Sequence, residues 1–255
     1  MKISLKPICL FFFVVMHLSQ PFAQSQHHYT WQQISGNWSV VSDNKESYLR
    51  ENRGKVYNFG YSPLINCNSI ITTDELPEYT MITHTLAINA PSNDAAFMTF
   101  FAATDYRQFY GVQFSANESS IYTVSIVQSD IKDTTLPRQA KGNFTVTTLA
   151  SQELSLNPGQ TYTIAIAINS KAISVLIDKT QVLSLKVPHQ PHGGKIGFSS
   201  KHCIPIIDNL IVYNDNTIIF TDDFSKESIR KIVLHGKKLT PEEVKKKEKL
   251  KEHKN

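Results

Sequence analysis

Thr161-Tyr162-Thr163-Ile164-Ala165-Ile166-Ala167-Ile168 puts Tyr162, Ile164, Ile166 and Ile168 on one side of an extended backbone and Thr161, Thr163, Ala165 and Ala167 on the other, because successive strand side chains point to opposite faces. Coiled into a helix, the same residues would be scattered around its girth. Asn157, Pro158 and Gly159 supply a turn just ahead of the stretch. Downstream, Ile173, Val175 and Ile177 alternate with Ala172, Ser174 and Leu176, and Asp178, Lys179 and Thr180 reverse the chain into Leu183, Leu185 and Val187. That pattern is a β-hairpin. Pro188, Pro191, Gly193 and Gly194 break the chain before further strands over 195–199 and 206–213, and upstream the alternation predicts strands over 79–90, 95–103, 108–115 and 121–128. No long amphipathic helical run interrupts the series from Trp38 to Ile232. The expectation is an all-β chain whose two antiparallel sheets pack face to face through Ile, Val, Leu, Phe and Tyr.

The two ends read differently from this body. Lys2 and Lys6 precede an apolar run over 8–16, and Ala23 is a small residue suited to cleavage, so residues 1–23 read as an export signal. The run is far shorter than the ~20 residues a membrane-spanning helix needs. The expected mature domain, 24–236, is therefore secreted, extracellular or periplasmic, with no transmembrane segment. Residues 237–255 hold eight lysines and four glutamates. Thr240, Pro241 and Glu243 form a helix start there, so a short helical, lysine-rich tail follows. It has almost no apolar face, and contact with an acidic partner is its alternative role to that of a solvated terminus. With the lysines of both ends set aside, sixteen Lys and Arg remain against eighteen acids. A mildly acidic body argues against a nucleic-acid partner.

Cys67 and Cys203 remain once the export signal is removed. An even pair in an oxidising compartment points to one disulfide, and two buried thiols are the alternative.

Gly36-Asn37-Trp38-Ser39-Val40, Asp105-Tyr106-Arg107-Gln108-Phe109-Tyr110-Gly111-Val112 and Pro158-Gly159-Gln160-Thr161-Tyr162, taken in that order, resemble concanavalin A-like lectin/glucanase jelly-roll domains. Gly194-Lys195-Ile196-Gly197-Phe198 followed by Ile207-Asp208-Asn209-Leu210-Ile211-Val212 is similar to the closing strands of laminin G-like and glycoside hydrolase family 16-like modules. The likeness spans 34–224. It implies a jelly-roll sandwich and a carbohydrate, glycan or polysaccharide, as partner, with sugar binding, glycan cleavage and adhesion all represented in the group. It also implies a structural calcium, for which Asp208 is the candidate ligand with Asp222 or Asp223 near it in sequence.

Family 16 hydrolases carry Glu-x-Asp-x-Glu on one strand, so that alternate carboxylates reach the cleft together. No glutamate here begins such a motif, and Asp74, Glu75 and Glu78 are interrupted by Pro77. A catalytic pair would have to come from separated strands. His189, His192, His202 and Cys203 lie close in sequence at a spacing that matches no standard zinc site. His84 alternates with Ile82, Leu86 and Ile88, which marks it as a core histidine.

Sugar recognition needs aromatic faces and planar polar groups. Tyr106, Arg107, Phe109 and Tyr110 form the densest such cluster, and parity assigns Tyr110, Val112 and Phe114 to the core and Arg107, Phe109 and Gln113 to the opposite face. Tyr106, Arg107, Phe109 and Gln113 are the candidate ligand-binding residues. The expected function is a lectin-like carbohydrate-binding protein without an evident catalytic motif. Its alternatives are a glycan-active hydrolase or lyase and a protein-interaction module.

Overall fold

The computed structural model describes residues 31–43, 46–52, 68–89, 92–105, 108–117, 121–131, 144–188, 191–224 and 229–231. Among them the strands are Trp31–Gln33 (β1), Trp38–Asp43 (β2), Glu46–Glu51 (β3), Asn68–Thr72 (β4), Met81–Asn89 (β5), Ala96–Asp105 (β6), Gln108–Ala116 (β7) and Ile121–Ile131 (β8). Phe144–Ser155 (β9), Tyr162–Ile168 (β10), Ala172–Ile177 (β11), Thr180–Lys186 (β12), Lys195–Lys201 (β13), Ile204–Asn214 (β14), Thr217–Asp222 (β15) and Ile229–Lys231 (β16) complete the set. No helix occurs among the described residues. The first sheet runs β16-β1-β4-β13-β6-β7-β8-β9 and the second β12-β11-β10-β5-β14-β3-β2, with β15 paired to β14. Every pairing is antiparallel except that of β1 with β16. Strands adjacent in sequence repeatedly lie in opposite sheets, β4 and β5 or β13 and β14 for example, which is the crossing pattern of a jelly roll.

The expected alternation is what builds the core. Ile164, Ile166 and Ile168 of β10 and Ile173 and Val175 of β11 are almost fully buried against the other sheet. Burying each such side chain contributes about 1.5–3 kcal/mol. The hairpin between β11 and β12 turns on Asp178 and Lys179, both with positive φ, as a two-residue turn matched to strand twist requires. Strands over 38–51, 68–72, 144–155 and 217–222 were not among those expected. They are short, polar or edge strands whose pattern is weak, as the largely exposed β9 shows.

His84 is 1 % exposed, deep between the sheets. Its Nδ1 meets the Thr85 carbonyl at 3.2 Å and its Nε2 meets Thr99 Oγ1 across the sandwich at 2.9 Å. A carbonyl only accepts, so Nδ1 carries the proton and Nε2 accepts from the Thr99 hydroxyl. The ring also lies edge-on to Phe97 and Phe198.

Cys203, one member of the expected pair, is a buried thiol donating to the Ala96 carbonyl at 3.3 Å, and burial pushes its pKa up to about 12. Cys67, the export segment and the lysine-rich tail lie outside the described residues.

Burial holds the His84 pKa down to about 4, against an ordinary 6.5. Between those two values the unfolded chain takes up a proton that the folded chain refuses, so stability is complete above the upper value and falls as the pH drops through the window. The loss approaches about 3 kcal/mol at full separation. Thermal unfolding followed at pH 7 and pH 4.5 will show a smaller acid-induced fall in Tm for His84→Leu than for the parent protein.

Candidate functional site

One strand irregularity shapes an open groove among the described residues. Along β14, Asp208 lies opposite Thr85 of β5 and Ile211 opposite Thr83, so three steps of one strand answer two of the other. This is a β-bulge, which adds a residue and re-aims the side chains around it. Its consequence is visible in burial: Ile207 and Leu210, three apart, are both fully inside. Asn209 takes up the extra residue at φ 52°, a left-handed conformation that asparagine tolerates better than most residues. Asp208 is thereby delivered to the outer face of the second sheet.

There it meets an open groove of about 470 Å³ across the neighbouring strands β5, β14 and β3. Glu46 and Tyr48 line it from β3, Thr85 from β5, Thr161 from the approach to β10, and Asp223 from just beyond β15. The Asp208 carboxylate accepts from the Asn209 backbone N–H at 2.6 Å and from the Asn209 side-chain amide at 3.1 Å. Thr85 donates its hydroxyl to the Asp208 carbonyl at 3.2 Å. Partial burial raises the Asp208 pKa, the Asn209 hydrogen bond lowers it, and the negative charges of Asp223, Glu46 and Asp222 raise it further. The groove thus combines one phenol ring, several hydroxyls, one side-chain amide, and carboxylates from separate segments.

Asp222 belongs to the framework. Its carboxylate accepts from Trp31 Nε1 at 2.7 Å and from the Phe224 N–H at 2.8 Å. Burial raises its pKa. With Asp222 anchored inward, Asp223 is presented to the groove.

Of the ligand-binding residues chosen from sequence, the two that are described, Phe109 and Gln113, lie on β7 of the other sheet. Parity places Phe109 and Gln113 opposite Val112 and Phe114, as expected, but Phe109 is 2 % exposed and packs on Phe100 with ring centroids 5.3 Å apart. This face of the first sheet holds a second apolar cluster with Met98, Phe100, Ala103 and Val127, so no face of the Phe109 ring is left open to a ligand. Gln113 is half-buried and donates its amide to Ser115 Oγ at 2.6 Å. Tyr106 and Arg107 lie outside the described residues. His192 faces Glu78 at 3.9 Å and His202 holds Asp94 at 2.7 Å. The two histidines thus stand near different carboxylates, and among the described residues no three His, Cys, Asp or Glu side chains gather as metal ligands.

Tyr48, Thr85, Thr161 and Glu46 carry no motif that would have marked them. A signal was available for the bulge, because an Asp-Asn pair between Ile207 and Leu210 breaks the alternation of an otherwise regular strand.

No protein-family model matches the chain, and no curated protein matches it in sequence. Among solved structures it is similar to the carbohydrate-binding module CBM66 from Bacillus subtilis, with 11 % identity, a TM-score of 0.51, and coverage of 71 % of this chain and 94 % of the other. It is also similar to the Bacillus licheniformis β-glucanase, with 12 % identity, a TM-score of 0.47, and coverage of 76 % and 96 %. The described strands form a concanavalin A-like jelly-roll β-sandwich.

The pKa direction at Asp208 gives a test of the groove. A carboxyl whose folded pKa lies above its unfolded value destabilises the protein as pH rises through both, and that penalty is fully present at pH 7. Asp208 is largely solvated, so screening keeps the effect below about 1 kcal/mol. Asp208→Asn will raise the Tm at pH 7 by roughly 1–2 °C, and calorimetry at pH 7 and pH 3.5 will show the gain only at the higher pH.

Proposed function

We propose that this chain is a secreted carbohydrate-binding protein that holds a glycan in the groove on the second sheet. The observation that carries the reading is the groove itself, whose volume lies within the range of ligand sites. Its lining has the composition a sugar demands: the Tyr48 ring supplies an apolar face, and Thr85, Thr161, Asn209 and the carboxylates supply acceptors and donors for hydroxyls. A protein of the same fold is a carbohydrate-binding module, and the proposal carries that class of ligand to this groove. Secretion rests on the apolar run over 8–16 and its flanking residues. Among the described residues no helix is long and apolar enough to cross a membrane.

Glycan cleavage is a second reading, favoured by one observation. Partial burial, with the charges of Asp223 and Glu46, raises the Asp208 pKa, and carboxyl groups brought to one groove from separate segments are the kind of group that glycoside hydrolysis uses.

A polysaccharide panel followed by isothermal titration separates these readings. Binding without release of reducing ends, weakened about tenfold by Tyr48→Ala through loss of roughly 1–2 kcal/mol of ring contact, is the expected result. Reducing ends released by the parent protein and not by Asp208→Asn would establish cleavage. Absence of binding to every glycan at millimolar concentration would remove both.

Calcium at Asp208 is a separate proposal, motivated by the resemblance and by the carboxylate's place beside Asp223. Protein stripped with chelator should gain Tm on calcium addition, and Asp208→Asn should abolish that gain. An unchanged Tm at millimolar calcium would refute it.

A further inference from the structure

We infer that Arg50 adds to the groove a subsite for a uronate, so that the glycan this protein holds carries a carboxylated sugar beside a neutral one. The inference rests on the carbohydrate-binding reading and adds a charged member to its ligand. Arg50 lies on β3 two places from Tyr48, and alternate residues of a strand share a face. Leu49 between them is fully buried in the core, which puts Tyr48 and Arg50 together on the outer side. Across the ladder Arg50 is paired with Ser39 of β2 and with Ile206 of β14, itself a wall of the groove. Arg50 therefore stands at the groove's margin.

Its lack of a partner sets this side chain apart. Arg50 is half-buried, its Nε is enclosed without a hydrogen bond, and no carboxylate among the described residues pairs with its guanidinium. Enclosing a charged donor costs free energy that an acceptor normally offsets. Asp208 lies two residues beyond Ile206, but the charges that act on it are those of Asp223, Glu46 and Asp222. The guanidinium is not engaged there either.

A guanidinium in that condition selects for an oxyanion, and its planar fork matches a carboxylate through two parallel N–H bonds. A sugar hydroxyl brings a single oxygen and no charge. Successive positions on one face of a strand lie about 6.8 Å apart, so a ring on Tyr48 and the carboxylate of its neighbour on Arg50 occupy consecutive positions. The ring on Tyr48 is the neutral member. Glu46 flanks Tyr48 on the same face, on the side away from Arg50, and like charges at an interface select against a second acid there.

The test is titration of the full-length protein at low ionic strength with a hyaluronan hexasaccharide and a glucuronoxylan fragment, each alongside its uronate methyl ester, and with cellohexaose. In both acids the uronate stands beside neutral sugars. At least one acid should bind about fivefold or more tighter than its own ester, and added salt should shrink the difference. Arg50→Gln should bring acid and ester to within about twofold of each other. Lys195→Gln, at a cation of the other sheet, should leave the difference unchanged. The comparison of acid with ester uses the parent protein, so it stands whether or not Arg50→Gln folds.

Equal affinity for acid and ester, or cellohexaose bound as tightly as either acid, would overturn the inference and leave the carbohydrate reading standing. So would a preference for the acid that survives Arg50→Gln in a variant of unchanged Tm, or one that falls as far in Lys195→Gln. Binding of none of these ligands would remove both.

Discussion

The two sheets are held at their separation by a group of rings centred on Phe198. Trp31 stacks on Phe198 with centroids 5.4 Å apart, Phe97 at 6.0 Å, and His84 comes from the opposite sheet to meet it edge-on at 5.4 Å. Offset and edge-to-face pairs of this kind add about 0.5–1.5 kcal/mol beyond the area they bury. The Phe198 ring thus joins β13 to β1 and β6 within its own sheet and to β5 in the other. The hydrogen bond from Thr99 to His84 crosses the same interval, and with that from Trp31 to Asp222 it gives a largely apolar interface directional contacts. Such a contact fixes how the sheets sit along one another as well as how far apart they lie.

That framework reaches the surface site through short covalent paths. Trp31 is part of the ring cluster, its indole N–H is held by Asp222, and the next residue, Asp223, stands on the groove. On β14, Ile207 and Leu210 fill the core on either side of Asp208 and Asn209, so the position of the bulge is fixed by what is buried beneath it. Sliding the extra residue one place along would turn Ile207 or Leu210 out of the core, since a shift of one residue exchanges the faces of a strand. The acidic groove therefore draws its rigidity from apolar residues that never touch a ligand.

Regular alternation was legible from the chain alone wherever both members of each pair were decisive. The strands β10, β11, β13 and β14 fall where Ile and Val alternate with small or polar residues, and His84 behaves as its apolar neighbours indicated. Phe109 shows the limit of that reading. Period-two parity assigns it correctly to the outer face, yet it cannot say that this face has apolar cover of its own, because Met98, Phe100 and Val127 come from the flanking strands β6 and β8, whose register against β7 alternation does not give. The groove was mostly illegible for the same reason. Tyr48, Thr85 and Asp208 lie far apart in sequence and become neighbours only through the order β5-β14-β3. Only Asp208, with Asp222 or Asp223, stood out, as acids near the end of a recognisable closing motif, and of that pair Asp223 reaches the groove.

β9 ends the first sheet, and among the described residues no strand pairs with its far side. Most of its twelve positions are exposed, Leu149 among them, and Glu153 is its only charged residue. Its protection against self-pairing is slight: one bulge against β8 between Ile126 and Val127, that single charge, and no proline. Among the described residues, then, β9 carries few of the devices by which edge strands discourage another chain from adding to a sheet.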